Sequence, residues 1–109
     1  MLDLTTIYKD VYFELKMFDG TVLKIKRPTQ AMAEFAVSLQ KIEDDKQALE
    51  AVMSFFVRIL NRNTTGKVYT VDEIKEDYDV NVIGLVIRSY FDFWNKEVGS
   101  TVDFQQGAD

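Results

Sequence analysis

Residues 13–30 read FELKMFDGTVLKIKRPTQ, two alternating apolar and polar runs separated by Asp-Gly and closed by the one proline. Starting from residue 11, Val11, Phe13, Leu15 and Met17 share one face of the first run, and Leu23 and Ile25 share one face of the second. Alternation of this kind on both sides of a turn signal predicts a β-hairpin over 11–27. Loop length then decides which faces meet. A two-residue Asp19-Gly20 loop pairs Leu15 with Lys24 and mixes apolar with charged side chains. A three-residue loop, Phe18-Asp19-Gly20, pairs Leu15 with Leu23 and Phe13 with Ile25, and it requires a type I turn followed by a left-handed Gly20 in a bulge. The same register sets Glu14 opposite Lys24 on the outer face, a pair worth about 0.2–1 kcal/mol.

Pro28 has no N–H for a ladder and drives Arg27 away from helical angles, so the strand ends there and Thr29 is placed to cap a helix. That helix is expected over residues 30–43, with Met32, Phe35, Ala36, Leu39 and Ile42 forming one stripe. Glu43, Asp44 and Asp45 break the stripe and offer Asp44 or Asp45 as the next cap. A second helix over 46–62 carries Leu49, Val52, Met53, Phe56, Ile59 and Leu60 on one face, widened by Phe55. NRNTTGK, residues 61–67, closes it as a loop. Thr70 and Glu73 have capping-box spacing, which predicts a short helix over 71–78 with its acids near the positive end of the helix dipole.

Asp79 caps a last helix over 80–98, in which Ile83, Val86, Ile87, Tyr90 and Trp94 make one stripe while Val82, Leu85 and Phe93 spill onto a neighbouring one. Residues 99–109 have no period and are expected as a flexible tail. The fold class is therefore α+β, mainly α: an N-terminal hairpin followed by a bundle of three to four helices, in a single globular domain over 1–98.

The chain has 109 residues, 47% hydrophobic and 28% charged, a balance that supports one buried core. It has no cysteine and no histidine. Disulfides, thiolate and imidazole ligands and most triad designs are thereby removed, so the expectation is a non-enzymatic protein with no cofactor and no metal. The net charge of −5 is uneven: residues 1–40 balance five basic against five acidic, and residues 70–109 carry three basic against nine acidic. Nucleic-acid binding through a basic face is disfavoured. No run approaches the about 20 apolar residues that span a bilayer, and MLDLTTIYKD at 1–10 lacks the pattern of a signal peptide. A soluble, cytoplasmic protein without membrane contact is expected.

Several segments invite a chemical reading. The acids between Asp72 and Asp79 lack the alternation and central glycine of a calcium loop, and read as caps and a solvated face. Lys24, Lys26 and Arg27 beside Tyr12 read as edge protection against strand pairing more readily than as a phosphate patch. NTTGK at 63–67 lacks the first glycine and the hydroxyl after lysine of a phosphate loop. Tyr90, Phe91, Phe93 and Trp94 exceed what a surface helix needs. Two readings stand for them: core packing against the first two helices, or, in part, a surface for a partner or for self-association. A lone hairpin is marginal unless it packs on helices or on another strand, so an edge offered to a second copy is also in play.

MFDGTVLKIKRPTQAM (17–32), a hairpin ending in a Pro-Thr helix start, and YTVDEIKEDYDVNVIGLVIRSYFDFW (69–94), an acidic short helix leading into a long apolar one, set the order of parts. That order resembles the tail assembly chaperones of siphophages of Gram-positive bacteria, or of related prophages, and covers most of residues 11–98 in arrangement. The resemblance implies a protein that binds the tape measure protein, keeps its long helices soluble and helps tail tube protein assemble around it. It also implies action in the host bacterial cytoplasm and absence from the mature virion; members of the family commonly make a longer form by translational frameshifting, whose extension contacts tube protein. The family has no fixed binding signature to carry over, so the four aromatics are a reading of the residues. The rival readings are a structural phage tail or head–tail connector subunit, and an acidic inhibitor that mimics DNA.

Overall fold

A computed structural model describes the backbone of residues 1–101 and the side chains as far as Glu97. The hairpin forms in the expected register: β1 (Phe13–Lys16) runs antiparallel to β2 (Val22–Ile25), with Phe13 opposite Ile25, Glu14 opposite Lys24, Leu15 opposite Leu23 and Lys16 opposite Val22. The three-residue loop closes it. The Gly20 N–H donates to the Met17 carbonyl at 2.9 Å and the Met17 N–H to the Thr21 carbonyl at 2.7 Å. The Asp19 carboxylate accepts the Thr21 N–H at 2.9 Å, which holds its carboxyl below the usual carboxylate range. Gly20 sits at φ 91°, a conformation that side chains other than glycine adopt at a cost.

Four helices follow, α1 (Gln30–Leu39), α2 (Asp45–Leu60), α3 (Val71–Asp77) and α4 (Val80–Thr101), which makes the class α+β. Their starts are written in the sequence. Thr29 caps α1 by accepting the Met32 N–H, and Asp44 caps α2 by accepting the Lys46 N–H. Thr70 and Glu73 form a complete capping box on α3, and the Asp79 carboxylate accepts the Val82 N–H at the head of α4.

Their ends differ from expectation. The first helix stops at Leu39 rather than 43 because its last turn tightens: Gln40, Lys41 and Ile42 donate to carbonyls three residues back, a geometry that does not propagate. The second stops at Leu60 rather than 62 because the next residues are recruited into the sheet. Arg62 accepts the Lys26 N–H at 3.1 Å, the Thr64 N–H donates to the Lys24 carbonyl at 3.0 Å, and Asn63 pairs with Ile25. Residues 62–64 thus act as a short third strand along β2. The third helix ends one residue early because Tyr78 turns extended and sets its ring against Phe18 and Phe56. The last helix continues to Thr101; the remainder of the expected tail lies outside the described residues.

The inner face of the hairpin, with Leu23 and Ile25 fully buried, packs on Phe55, Phe56, Ile59 and Leu60 of α2 and on Ile83, Val86, Tyr90 and Trp94 of α4. Full burial of residues of this size contributes about 1.5–3 kcal/mol each. Leu49, expected on the buried face, is 45% exposed, because every fully buried residue of α2 lies in its second half. No helix among the described residues is long and apolar enough to cross a membrane.

Gly20→Val tests the turn. A Cβ at Gly20 meets no atom within 4 Å, so the substitution acts through backbone strain alone and should cost about 1–3 kcal/mol, read as a lower urea midpoint. An unchanged midpoint would contradict the left-handed glycine.

Candidate functional site

The aromatic quartet of α4 does not form one wall. Tyr90 and Trp94, four residues apart, face inward and are 0% and 3% exposed, while Phe91 and Phe93 are half-buried. Residues two apart on a helix point about 200° from each other, so the two half-exposed rings lie on opposite flanks. Tyr90 and Trp94 are therefore core residues in this chain, and Trp94 reaches the surface where it lines a groove beside Phe91, which favours core packing over a partner surface for this half of the quartet.

Each ring has a defined setting. The Tyr90 hydroxyl donates to the Lys26 carbonyl at 2.5 Å, at the point where β2 gives way to the Pro28 turn. Burial pushes its pKa well above the ordinary phenol range, opposed in part by Arg62 and Arg27. Trp94 stands edge-to-face with Tyr8 at 5.5 Å and with Phe93 at 5.1 Å. Its buried Nε1–H has no hydrogen-bond acceptor among the described residues. Phe91 stacks on Phe55 at 5.9 Å, and Phe35 meets the same Phe55 at 5.3 Å. Phe93 packs on Phe13 at 5.6 Å.

On the Phe91 flank a groove of about 280 Å³ opens between the start of α1 and the last turns of α4. Pro28, Ala33, Phe91 and Trp94 are among its apolar lining, and Arg27 and Asn95 are among its polar lining. The residues at 28 and 33 were legible as a helix start and not as part of a site. Pro28 and Thr29 set where α1 begins, and Ala33 puts only a methyl group on the groove side of that turn, which leaves the space.

Other candidates resolve into structure. The Thr65 and Gly66 N–H groups in NTTGK donate to the Asn63 side-chain oxygen at 2.9 and 3.1 Å, so a phosphate would have to displace bonds already made. Among the described residues no cluster of acids is arranged to hold a metal ion. Lys24 and Lys26 do not guard an open edge, because residues 62–64 already cover β2.

Tyr90→Phe tests the core assignment. It leaves the Lys26 carbonyl without its donor and should cost about 1–2 kcal/mol at neutral pH, read as a lower Tm. A phenol whose folded-state pKa lies above its unfolded value of about 10 contributes fully below that pH and loses its contribution as pH rises past it. The stability gap between wild type and Tyr90→Phe should therefore narrow above pH about 10; a gap independent of pH would contradict the buried, neutral phenol.

Compared with family models, with curated proteins and with solved structures, the chain matches none of them.

Proposed function

We propose that this protein is a phage tail assembly chaperone that binds the tape measure protein in the host bacterial cytoplasm, keeps its amphipathic helices soluble and promotes assembly of tail tube protein around it. The observation that carries the reading is the groove beside Phe91. An amphipathic helix docks by placing apolar side chains in such a groove while its polar face stays wet. Phe91, Ala33 and Pro28 supply the apolar contact, and Arg27 and Asn95 supply polar groups in the lining. The order of elements, a hairpin, a Pro-Thr helix start, and a short acidic helix before a long apolar one, supports the same reading through its resemblance to that family. Binding rests on side-chain contacts alone, so this is a non-enzymatic role.

The alternative of a structural phage tail or head–tail connector subunit draws support from the outer edge of β1, where among the described residues no hydrogen bond reaches the outward backbone groups of Glu14 and Lys16. The two part on location: the subunit belongs in purified virions, the chaperone in the infected cell only.

Co-expression with a long, helical tape measure protein, followed by size-exclusion chromatography with light scattering, tests the reading. The partner should be soluble only in a shared complex. Ala33→Phe, which fills the groove at a half-buried position, should return the partner to the insoluble fraction while the variant itself stays folded. Elution of this protein alone, with the partner aggregated, would overturn the proposal.

A further inference from the structure

The sheet has one finished edge and one open edge. Hydrogen-bonding direction alternates along an antiparallel strand. Phe13 and Leu15 aim their N–H and C=O groups at β2, and Glu14 and Lys16 aim theirs away from it. On the far side the Lys24 carbonyl accepts the Thr64 N–H and the Lys26 N–H donates to the Arg62 carbonyl. Among the described residues no hydrogen bond reaches the outward backbone groups of Glu14 and Lys16.

Burial carries the same asymmetry. Leu23 and Ile25 are 1% and 0% exposed, whereas Leu15 and Phe13, their partners on the same face, are only half-buried. Phe93, packed against Phe13, is half-buried as well. The N-terminal arm does not close this side: Tyr8 rests on Trp94 with Arg27 over its ring, at the end of the hairpin away from the turn.

We propose that this edge pairs with β1 of a second copy, antiparallel, about a two-fold axis through Leu15. Charge selects that register. Pairings that keep both apolar faces on one side must match odd residues with odd and even with even. With Leu15 opposite its own copy, Glu14 of one chain faces Lys16 of the other, twice over, and both lie on the outer face where their backbone groups are free. A shift that sets Glu14 against Glu14, or Lys16 against Lys16, opposes like charges and is disfavoured. One acid and one base two residues apart are self-complementary on reversal, as a two-fold interface requires. The pairing joins the two hairpins into one sheet and brings the half-buried Phe13, Leu15 and Phe93 of each copy to the seam. The inference does not depend on the chaperone reading.

Light scattering over a range of concentrations should find a species of twice the 12.6 kDa chain mass. Lys16→Glu should weaken dimerisation by about tenfold or more, since two attractive pairs become repulsive; in its own hairpin Lys16 faces Val22, so folding should be unaffected by circular dichroism. Glu14→Lys should also weaken dimerisation, although it sets a lysine opposite Lys24 in its own hairpin, and an equimolar mixture of the two variants should restore a dimer, because every cross-chain pair is again opposite in charge. A monomer at all concentrations, or a dimer indifferent to Lys16→Glu, overturns the proposal. Amide exchange on the unaltered protein decides without any variant: the Glu14 and Lys16 amides should exchange slowly in the dimer and fast on dilution. Fast exchange at both concentrations overturns it.

Discussion

The structure depends on the pairing of Ile25 with Asn63. A two-stranded ribbon is marginal in water, and this one persists because the chain leaving α2 returns along β2 and binds it on its outer side. The Asn63 side chain is itself fixed, donating to the Leu60 and Lys67 carbonyls and accepting from Thr65 and Gly66. Its neighbour Arg62 extends the clamp by donating through two nitrogens to the Arg27 carbonyl, at 2.9 and 2.6 Å. Tyr90 reaches the preceding carbonyl from α4. Three consecutive residues of the β2 exit are therefore held from outside the hairpin, and the rest of the architecture follows: α2 has to stop at Leu60, and α4 has to lie where Tyr90 can reach Lys26.

Whether a feature was legible in the sequence depended on how local its cause is. The register of the hairpin could be read because pleat parity and loop length constrain each other, leaving one loop that keeps Leu15 with Leu23. Helix starts could be read because a cap is a contact over three residues, as at Thr29, Asp44, Thr70 and Asp79. Helix ends could not, because α2 ends where Arg62–Thr64 meet a strand more than thirty residues earlier in the chain. For the same reason Lys24 and Lys26 read as guards of an open edge while the open edge belongs to β1. The division of the aromatic quartet follows from helical angle once the inward direction is known, and that direction is set by the Tyr90 bond to Lys26.

One helix therefore serves two surfaces. Tyr90 and Trp94 close the core, and with that axis fixed Phe91 and Phe93 are left on opposite flanks. The Phe91 flank meets α1 across a groove suited to an apolar helix. The Phe93 flank meets β1 at the open strand edge, which is suited to another strand. The proposed edge pairing would leave the groove available, so a dimer formed that way would present two grooves to the proposed helical partner, with the gain in effective affinity that two linked sites allow.

The pairing of Ile25 with Asn63 is tested most directly by nuclear magnetic resonance. The two residues form a non-hydrogen-bonded antiparallel pair, flanked by the Lys26–Arg62 and Thr64–Lys24 bonds, a geometry that brings their Cα atoms to about 4.5 Å and their α protons together. A strong cross-peak between the α protons of Ile25 and Asn63, with slow amide exchange at Lys26 and Thr64, is the predicted result. Absence of that cross-peak, with exchange at Thr64 as fast as in an exposed loop, would mean that the hairpin is held some other way and would remove the basis for assigning the open edge to β1.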